Sequence, residues 1–257
     1  MDLRLPTHMT GPEIRIYKDL PAMSRAAAQV IVEIAINVLQ RRGRIALALS
    51  GGSTPQALFN LLAQSPFRDQ LPWGGMHFFW ADERCVPPDH PESNYGQAQR
   101  ALFDRVPLPL ENIHRVQGEL EPARAAQEYI RELREFAGGD HAWPRFDCVL
   151  LGMGADGHTA SLFPNVTNPA EQTSPAIAVT ASYQGRPAQR VTLTPLVFNS
   201  AKNVLFLVSG QEKADALAAV LSGSYDPLRW PAQRIHPPEG TVTWIVDGAA
   251  AQRLMIR

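Results

Sequence analysis

Charge of one sign is the first thing this 257-residue chain lacks: 24 Lys and Arg stand against 25 Asp and Glu. So even a balance offers no extended field for nucleic acid or an anionic membrane, and any anion site must be local. Cysteine is equally scarce. Cys85 and Cys148 lie far apart, without metal-ligand spacing, and a disulfide framework is excluded. Cys148 sits in an apolar run and reads as a small buried hydrophobe. There is no run of about eighteen apolar residues to mark a membrane span, and no apolar signal segment opens the chain. A cytoplasmic protein is expected. The Gly-x-Ser-x-Gly elbow of a serine nucleophile is missing as well, and the glycine-rich segment from Ser50 to Pro55 is neither the Walker nor the dinucleotide-binding pattern. Internal repeats, low-complexity tracts and an interdomain linker are absent too.

What is present is ordinary for a soluble globule, 45% hydrophobic and 19% charged, and long enough to bury a sizeable core. Residues 1–12 read as a flexible tail, and 13–257 as a single α/β domain. Ile14 to Tyr17 reads as a short strand. From Ser24 to Arg42, Ala27, Val30, Ile31, Ile34 and Val38 recur at helical spacing, with Ser24 as expected N-cap and Gly43 just past the end. Strands are expected at Arg44–Ser50, Met76–Trp80, Phe146–Leu151, Arg190–Leu193, Val204–Val208 and Thr241–Val246, with a short one near Ile177. Helices are expected at Pro55–Ala63, Asn94–Phe103, Pro122–Phe136 and Lys213–Leu221; Ala81–Asn94 reads as a polar loop, and Val166–Pro187 as mostly irregular. Near-continuous apolar strands alternating with helices predict a mostly parallel open sheet covered by helices on both faces, a Rossmann-like architecture.

In such sheets ligands bind beyond the carboxyl ends of the strands. Four expected strands end in polar or Gly-rich segments, which a parallel sheet gathers on one rim. Gly152-Met153-Gly154-Ala155-Asp156-Gly157-His158-Thr159 places a carboxylate and an imidazole on a tight turn. Histidine titrates near neutral pH and serves as a base, and glycine lets a ligand approach closely. Ser50-Gly51-Gly52-Ser53-Thr54-Pro55 leads into a helix whose first residue is expected to be Pro55; a helix N-terminus with free amides cradles phosphate. A plain tight turn with Ser53 or Thr54 as N-cap fits this segment equally well. Asp82-Glu83-Arg84 is a charge triplet, with Arg84 suited to an anion, and Asp82 and Asn94 suited to sugar hydroxyls; a surface salt-bridge cluster is the plainer alternative. Lys213, at the start of another helix, completes the rim. His8, His77, His90, His114, His141 and His236 carry no comparable context.

These motifs, with Ser93-Asn94-Tyr95, Ala160-Ser161-Leu162-Phe163-Pro164, Arg190-Val191-Thr192-Leu193-Thr194 and Val208 to Ala214, resemble the 6-phosphogluconolactonase family. The resemblance runs in order from about Ile14 to Val246. It implies hydrolysis of 6-phospho-D-glucono-1,5-lactone in the oxidative pentose phosphate pathway. His158 would be the general base, Asp156 its orienting partner or a substrate ligand. Gly51, Gly52, Ser53, Thr54, Asp82, Glu83, Arg84, Asn94, Gly154, Gly157, Arg190 and Lys213 would bind substrate. The expected partner is this small molecule, with no cofactor and no metal. The related glucosamine-6-phosphate deaminases share the glycine loop and the Asp-Gly-His turn, but follow the turn with Asn-Glu-Pro. Here Ser161 to Pro164 carries no carboxylate, which favours the lactonase; a deaminase-like enzyme and a non-catalytic sugar-phosphate sensor are the alternatives.

Overall fold

The computed structural model describes residues 12–183 and 185–254. The expected tail at 1–12 therefore lies, Pro12 excepted, outside the described residues. In chain order the strands are β1 (Glu13–Tyr17), β2 (Ile45–Leu49), β3 (Met76–Trp80), β4 (Asp82–Arg84), β5 (Cys148–Leu151), β6 (Ala176–Thr180), β7 (Gln189–Leu193), β8 (Asn203–Val208) and β9 (Thr241–Asp247). The helices are α1 (Leu20–Arg42), α2 (Ser53–Leu62), α3 (Phe67–Gln70), α4 (Asn94–Ala101), α5 (Pro122–Ala137), α6 (Pro195–Phe198), α7 (Ala214–Ser222) and α8 (Gly248–Ala251).

Six strands form one sheet in the order β1-β9-β8-β5-β2-β3, and every neighbouring pair is parallel. From β2 the chain moves outward to β3, then returns to β5 on the other side of β2 and continues to β8 and β9. The β2/β5 boundary is thus the point where strand order reverses, and the crevice beyond it is the place such sheets bind ligands. β2 and β5 are buried along their whole lengths, as continuous apolar strands of a covered parallel sheet are. β3 is an edge strand, but its free edge is covered. The Tyr129 hydroxyl on α5 donates to the Trp80 carbonyl and accepts from the Trp80 amide, both at 2.8 Å, and the His114 amide donates to the Phe78 carbonyl.

The second sheet is the main departure from expectation. β4, β7 and β6 form an antiparallel three-stranded sheet that springs from the end of β3, and its residues share the same hydrophobic core. Asp82-Glu83-Arg84 is therefore a strand and not part of a polar loop. Its charge density masks the signal, since charged residues are poor predictors of strands.

Helix starts differ in detail. α1 begins four residues before Ser24, because Asp19 is the N-cap and its carboxylate accepts from the Ala22 amide at 2.9 Å; Ser24 is buried inside the helix. Gly43 ends it at φ 71°, as expected. α1 is long and apolar enough to cross a membrane by length and composition alone. Polar residues such as Arg25, Gln29 and Glu33 break its apolar run, and Met23, Ala27, Ala28, Ile31 and Ala35 are buried in the protein core. α2 starts at Ser53 with Gly52 as N-cap, so Pro55 is its third residue and neither Ser53 nor Thr54 caps it.

Candidate active site

The four polar segments do end on one rim, since the strands that carry them are all parallel. At its centre, β5 delivers the turn from Gly152 to His158. The turn closes through the Gly154 amide to the His158 carbonyl at 2.8 Å, the Gly157 amide to the Gly154 carbonyl at 3.0 Å and the Thr159 hydroxyl to the Gly152 carbonyl at 2.8 Å. His158 Nδ1 lies 2.6 Å from Asp156 Oδ1, and the same carboxylate oxygen accepts from the His158 amide at 3.2 Å. Donation by Nδ1–H leaves Nε2 with the lone pair of the neutral imidazole, and no hydrogen bond engages Nε2 among the described residues. Burial works against ionising Asp156, but the hydrogen bond and charge of His158 outweigh it and hold the carboxyl below its ordinary value.

Two glycines make this geometry possible. A Cβ on Gly154 would lie 2.1 Å from His158 Nδ1. Gly157 has φ 80°, and a Cβ there would meet the Trp230 ring at 2.5 Å. The Trp230 segment supports the turn from outside, with the Ala232 amide donating to the Gly157 carbonyl at 3.1 Å.

β4 and β7 supply the charges. Side chains alternate along a strand, so Asp82 and Arg84 share a face with Arg190 and Thr192, whereas Glu83 points the other way. Glu83 is buried against the start of α4. Its carboxylate accepts from the Asn94, Tyr95 and Arg84 amides, each at 2.7 Å, and from the Ser93 hydroxyl at 3.1 Å. Burial pushes its carboxyl up to about 7 against the pull of those donors. These donors make Glu83 an anchor that ties β4 to the start of α4, on the strand face opposite Asp82 and Arg84.

Asp82 is buried and its Oδ2 accepts from the Ser161 hydroxyl at 2.7 Å, joining the second sheet to the segment that follows the Asp156–His158 turn. Asn94 is buried too; its Nδ2 donates to the Asp82 carbonyl at 2.8 Å, and its side chain fills the space where a Cβ of Gly51 would stand. Arg84 Nη1 donates to the Glu92 carbonyl at 2.7 Å. Arg84 Nε, Arg190 Nε and Arg190 Nη2 are buried without a partner among the described residues. Burial lowers the Arg190 pKa, opposed by the nearby Asp82 charge. Arg190 also lies over the Phe163 ring at 5.4 Å, and Phe163 packs on His158 at 4.8 Å.

The β2 and β8 loops complete the rim. Ser50 is tied to β5 by its hydroxyl, 2.9 Å from the Leu150 carbonyl. Ser53 and Thr54 present the first amides of α2 with no side-chain cap, while the Gly52 amide donates to Gln97 Oε1 at 3.5 Å. Lys213, partly exposed, sits just before α7 with its ammonium 4.0 Å from Glu212. Its loop is pinned by Asp247, which accepts from the Ser209 hydroxyl at 2.5 Å and from the Gly210 amide at 3.2 Å.

Asp247, Tyr183 and Arg186 near the rim carry no signal in the sequence, and Phe163 stands there only as part of the Ala160–Pro164 motif. Asp247 falls one residue past the expected end of its strand at Val246, and Arg186, 3.9 Å from Glu92, belongs to a hairpin read as irregular. Two cavities, of about 620 and 650 Å³, lie away from the rim; among their charged lining residues Arg234 pairs with Glu171, Arg42 with Asp147 and Arg145 with Glu239.

Residues 18–244 match the family described as glucosamine-6-phosphate isomerases/6-phosphogluconolactonase. The chain is 39% identical to the 6-phosphogluconolactonase of Haemophilus influenzae over 238 residues, covering 93% of this chain and 99% of that protein. Identity to the Nostoc 6-phosphogluconolactonase is also 39%, with 95% and 98% covered. Among solved structures, the 6-phosphogluconolactonase of Thermotoga maritima superposes with a TM-score of 0.78 at 33% identity, covering 92% of this chain and 99% of that one. A monomeric glucosamine-6-phosphate deaminase shares the fold alone, at 20% identity, a TM-score of 0.80 and coverage of 94% and 99%. The chain belongs to the glucosamine-6-phosphate isomerase/6-phosphogluconolactonase family.

Proposed function

We propose that this protein hydrolyses 6-phosphogluconolactone to 6-phosphogluconate, with His158 as general base. The observation that carries the reading is the His158–Asp156 pair at 2.6 Å, with Nε2 engaged by no hydrogen bond among the described residues and Arg190 lying over the same Phe163 ring that packs on His158. An ester carbonyl is already electrophilic, so the protein must position a water, remove its proton and stabilise a tetrahedral oxyanion. Nε2 takes the proton from water and returns it to the leaving ring oxygen. Asp156 holds the proton-bearing Nδ1 and stabilises the imidazolium formed in between.

Arg84 and Arg190, the amides of Gly52 to Thr54, and Lys213 are the groups that would bind phosphate or developing negative charge. Binding a remote phosphate orients the lactone at the reacting centre. The deaminase reading lacks the carboxylate it needs between Ser161 and Pro164; in its place Ser161 donates to Asp82. Residues 13–257 are proposed to act as one domain, on a small-molecule substrate, in the cytoplasm.

The test is hydrolysis of freshly generated lactone by wild type and His158→Ala, with the spontaneous rate subtracted. A fall in kcat of about 10²–10⁴-fold in the folded variant is expected. Wild type no faster than buffer would overturn the lactonase reading, and ammonia release from glucosamine 6-phosphate would replace it with the deaminase. Stabilisation by 6-phosphogluconate without turnover of either substrate would point to a sensor.

A further inference from the structure

The His158 ring is held by more than Asp156. Tyr183, on the hairpin between β6 and β7, meets it nearly at right angles, with centroids 4.6 Å apart and planes inclined at 74°. Phe163, five residues past His158 on the same segment, packs against it at 4.8 Å with an inclination of 30°. The two aromatic rings are 6.0 Å from each other, so all three form one cluster. Phe163 is buried, and its segment is closed by the Thr159–Leu162 bridge. Tyr183 is fixed by the hairpin, in which the Ala181 amide donates to the Ala188 carbonyl at 2.9 Å and the Arg186 amide to the Tyr183 carbonyl at 3.0 Å.

We propose that Phe163 and Tyr183 are positioning residues that clamp the His158 imidazole, keeping Nδ1 on Asp156 and Nε2 toward the substrate. The inference rests on the reading of His158 as general base. A histidine χ2 torsion is broad, and a single hydrogen bond at Nδ1 leaves the ring free to swing about it or to flip. A flipped ring presents Cδ2–H to Asp156 and removes both the base and its orienting bond. Packing at two different inclinations closes those routes, and displacement of a reacting group by about 1 Å costs on the order of 10²-fold in rate. The π-faces also favour the positive charge that His158 acquires when it takes the water proton. The second sheet therefore has two roles at the rim: β7 carries Arg190, and the hairpin before it carries Tyr183.

The experiment compares Tyr183→Leu, Tyr183→Phe and Phe163→Leu with wild type in lactone hydrolysis, each checked by thermal melting. In parallel, the ¹⁵N signals of the His158 ring are recorded, assigned by their loss in His158→Ala. Both leucine variants are expected to lose about tenfold or more in kcat, short of the 10²-fold above, with KM within about twofold. Tyr183→Phe retains the ring and is expected to retain kcat. In wild type the spectrum shows one tautomer with Nδ1 protonated, and in Tyr183→Leu the signals broaden or show a mixture.

Wild-type kcat with an unchanged tautomer in Tyr183→Leu would overturn the clamp. A loss confined to KM would overturn it in favour of substrate contact, and an equal loss in Tyr183→Phe in favour of the hydroxyl. If wild type does not hydrolyse the lactone, the functional reading fails, and the ring spectra of folded variants still decide the clamp.

Discussion

Arg84 and Arg190 stand directly opposite each other across the β4–β7 ladder. Like charges in that relation destabilise a sheet, and buried guanidinium nitrogens without partners add a desolvation cost. Three such nitrogens lie here, Arg84 Nε and Arg190 Nε and Nη2, among the described residues. Glu92 Oε2, 3.6 Å from Arg84 Nη1, offsets part of this charge, and on the proposed function the substrate's anionic group would engage both guanidinium groups at once.

Arg190→Met keeps an apolar stem of similar length and removes the charge. Its thermal midpoint is expected to equal or exceed that of wild type, because replacing a poorly compensated buried charge with a packed apolar side chain is neutral or stabilising by about 1–4 kcal/mol. KM for the lactone is expected to rise at least about tenfold, the loss of one charge-assisted hydrogen bond of about 1.5–3 kcal/mol. Stabilisation of wild type by inorganic phosphate should disappear in the variant. A midpoint well below wild type would show that the fold already compensates the guanidinium.

Asp156→Asn leaves the shape of the turn and reverses what His158 Nδ1 meets. An amide NH₂ facing Nδ1 favours the tautomer with its proton on Nε2, where the water must bind. We expect kcat to fall by about 10²-fold or more with little change in melting temperature, by analogy with general-base losses. Steady-state kinetics at saturating lactone checks this, and an unchanged kcat would remove Asp156 from the mechanism.

Gly157→Ala places a Cβ at φ 80° and against the Trp230 ring. Left-handed backbone costs about 1–2 kcal/mol for a residue with a Cβ. For a chain of this length the midpoint should fall by about 2–8 °C. The shift in the turn should lower kcat along with it. Calorimetry and turnover measured on one preparation test both, and a midpoint at or above wild type would contradict the geometry.

His77 forms a second titrating cluster, remote from the rim. Its Nδ1 lies 3.0 Å from His114 Nε2, and His114 Nδ1 lies 2.5 Å from Glu132. Burial, with the His114 and Arg44 charges, lowers His77 to about 4 from an ordinary 6.5. Between those values the unfolded chain binds the proton more readily than the folded protein, so stability falls as pH drops from about 6.5 toward 4. In His77→Asn, which keeps a donor toward His114, this component of the acid sensitivity should vanish. Urea midpoints of the two proteins across that range decide it; parallel slopes would assign the loss to other groups.

Much of the fold was legible because its signals are local. β3 runs from Met76 to Trp80 as the apolar run predicts, and Gly43 ends α1 in the left-handed region. The turn of Asp156 and His158 announces itself through glycines that its geometry requires. β4 was not legible, because its stability comes from pairing with β7, more than a hundred residues later, and not from its own residues. Glu83 looked like its neighbours Asp82 and Arg84 until the pleat turned it to the opposite face. Ser24 looked like a cap because the sequence does not show that Leu20 and Pro21 already belong to the helix begun by Asp19.

The sequence by itself determined the parallel α/β sheet, the order of its strands along the chain and the segments that meet beyond their ends. Hydrophobic periodicity and glycine placement act over a few residues and can be read one segment at a time. Only the tertiary structure decided that β2 and β5 are neighbours, that a second sheet carries Arg190 across from Arg84, and that Tyr183 reaches the His158 ring. Those relationships join residues far apart in the chain, and they exist only once the core has fixed the distances between them.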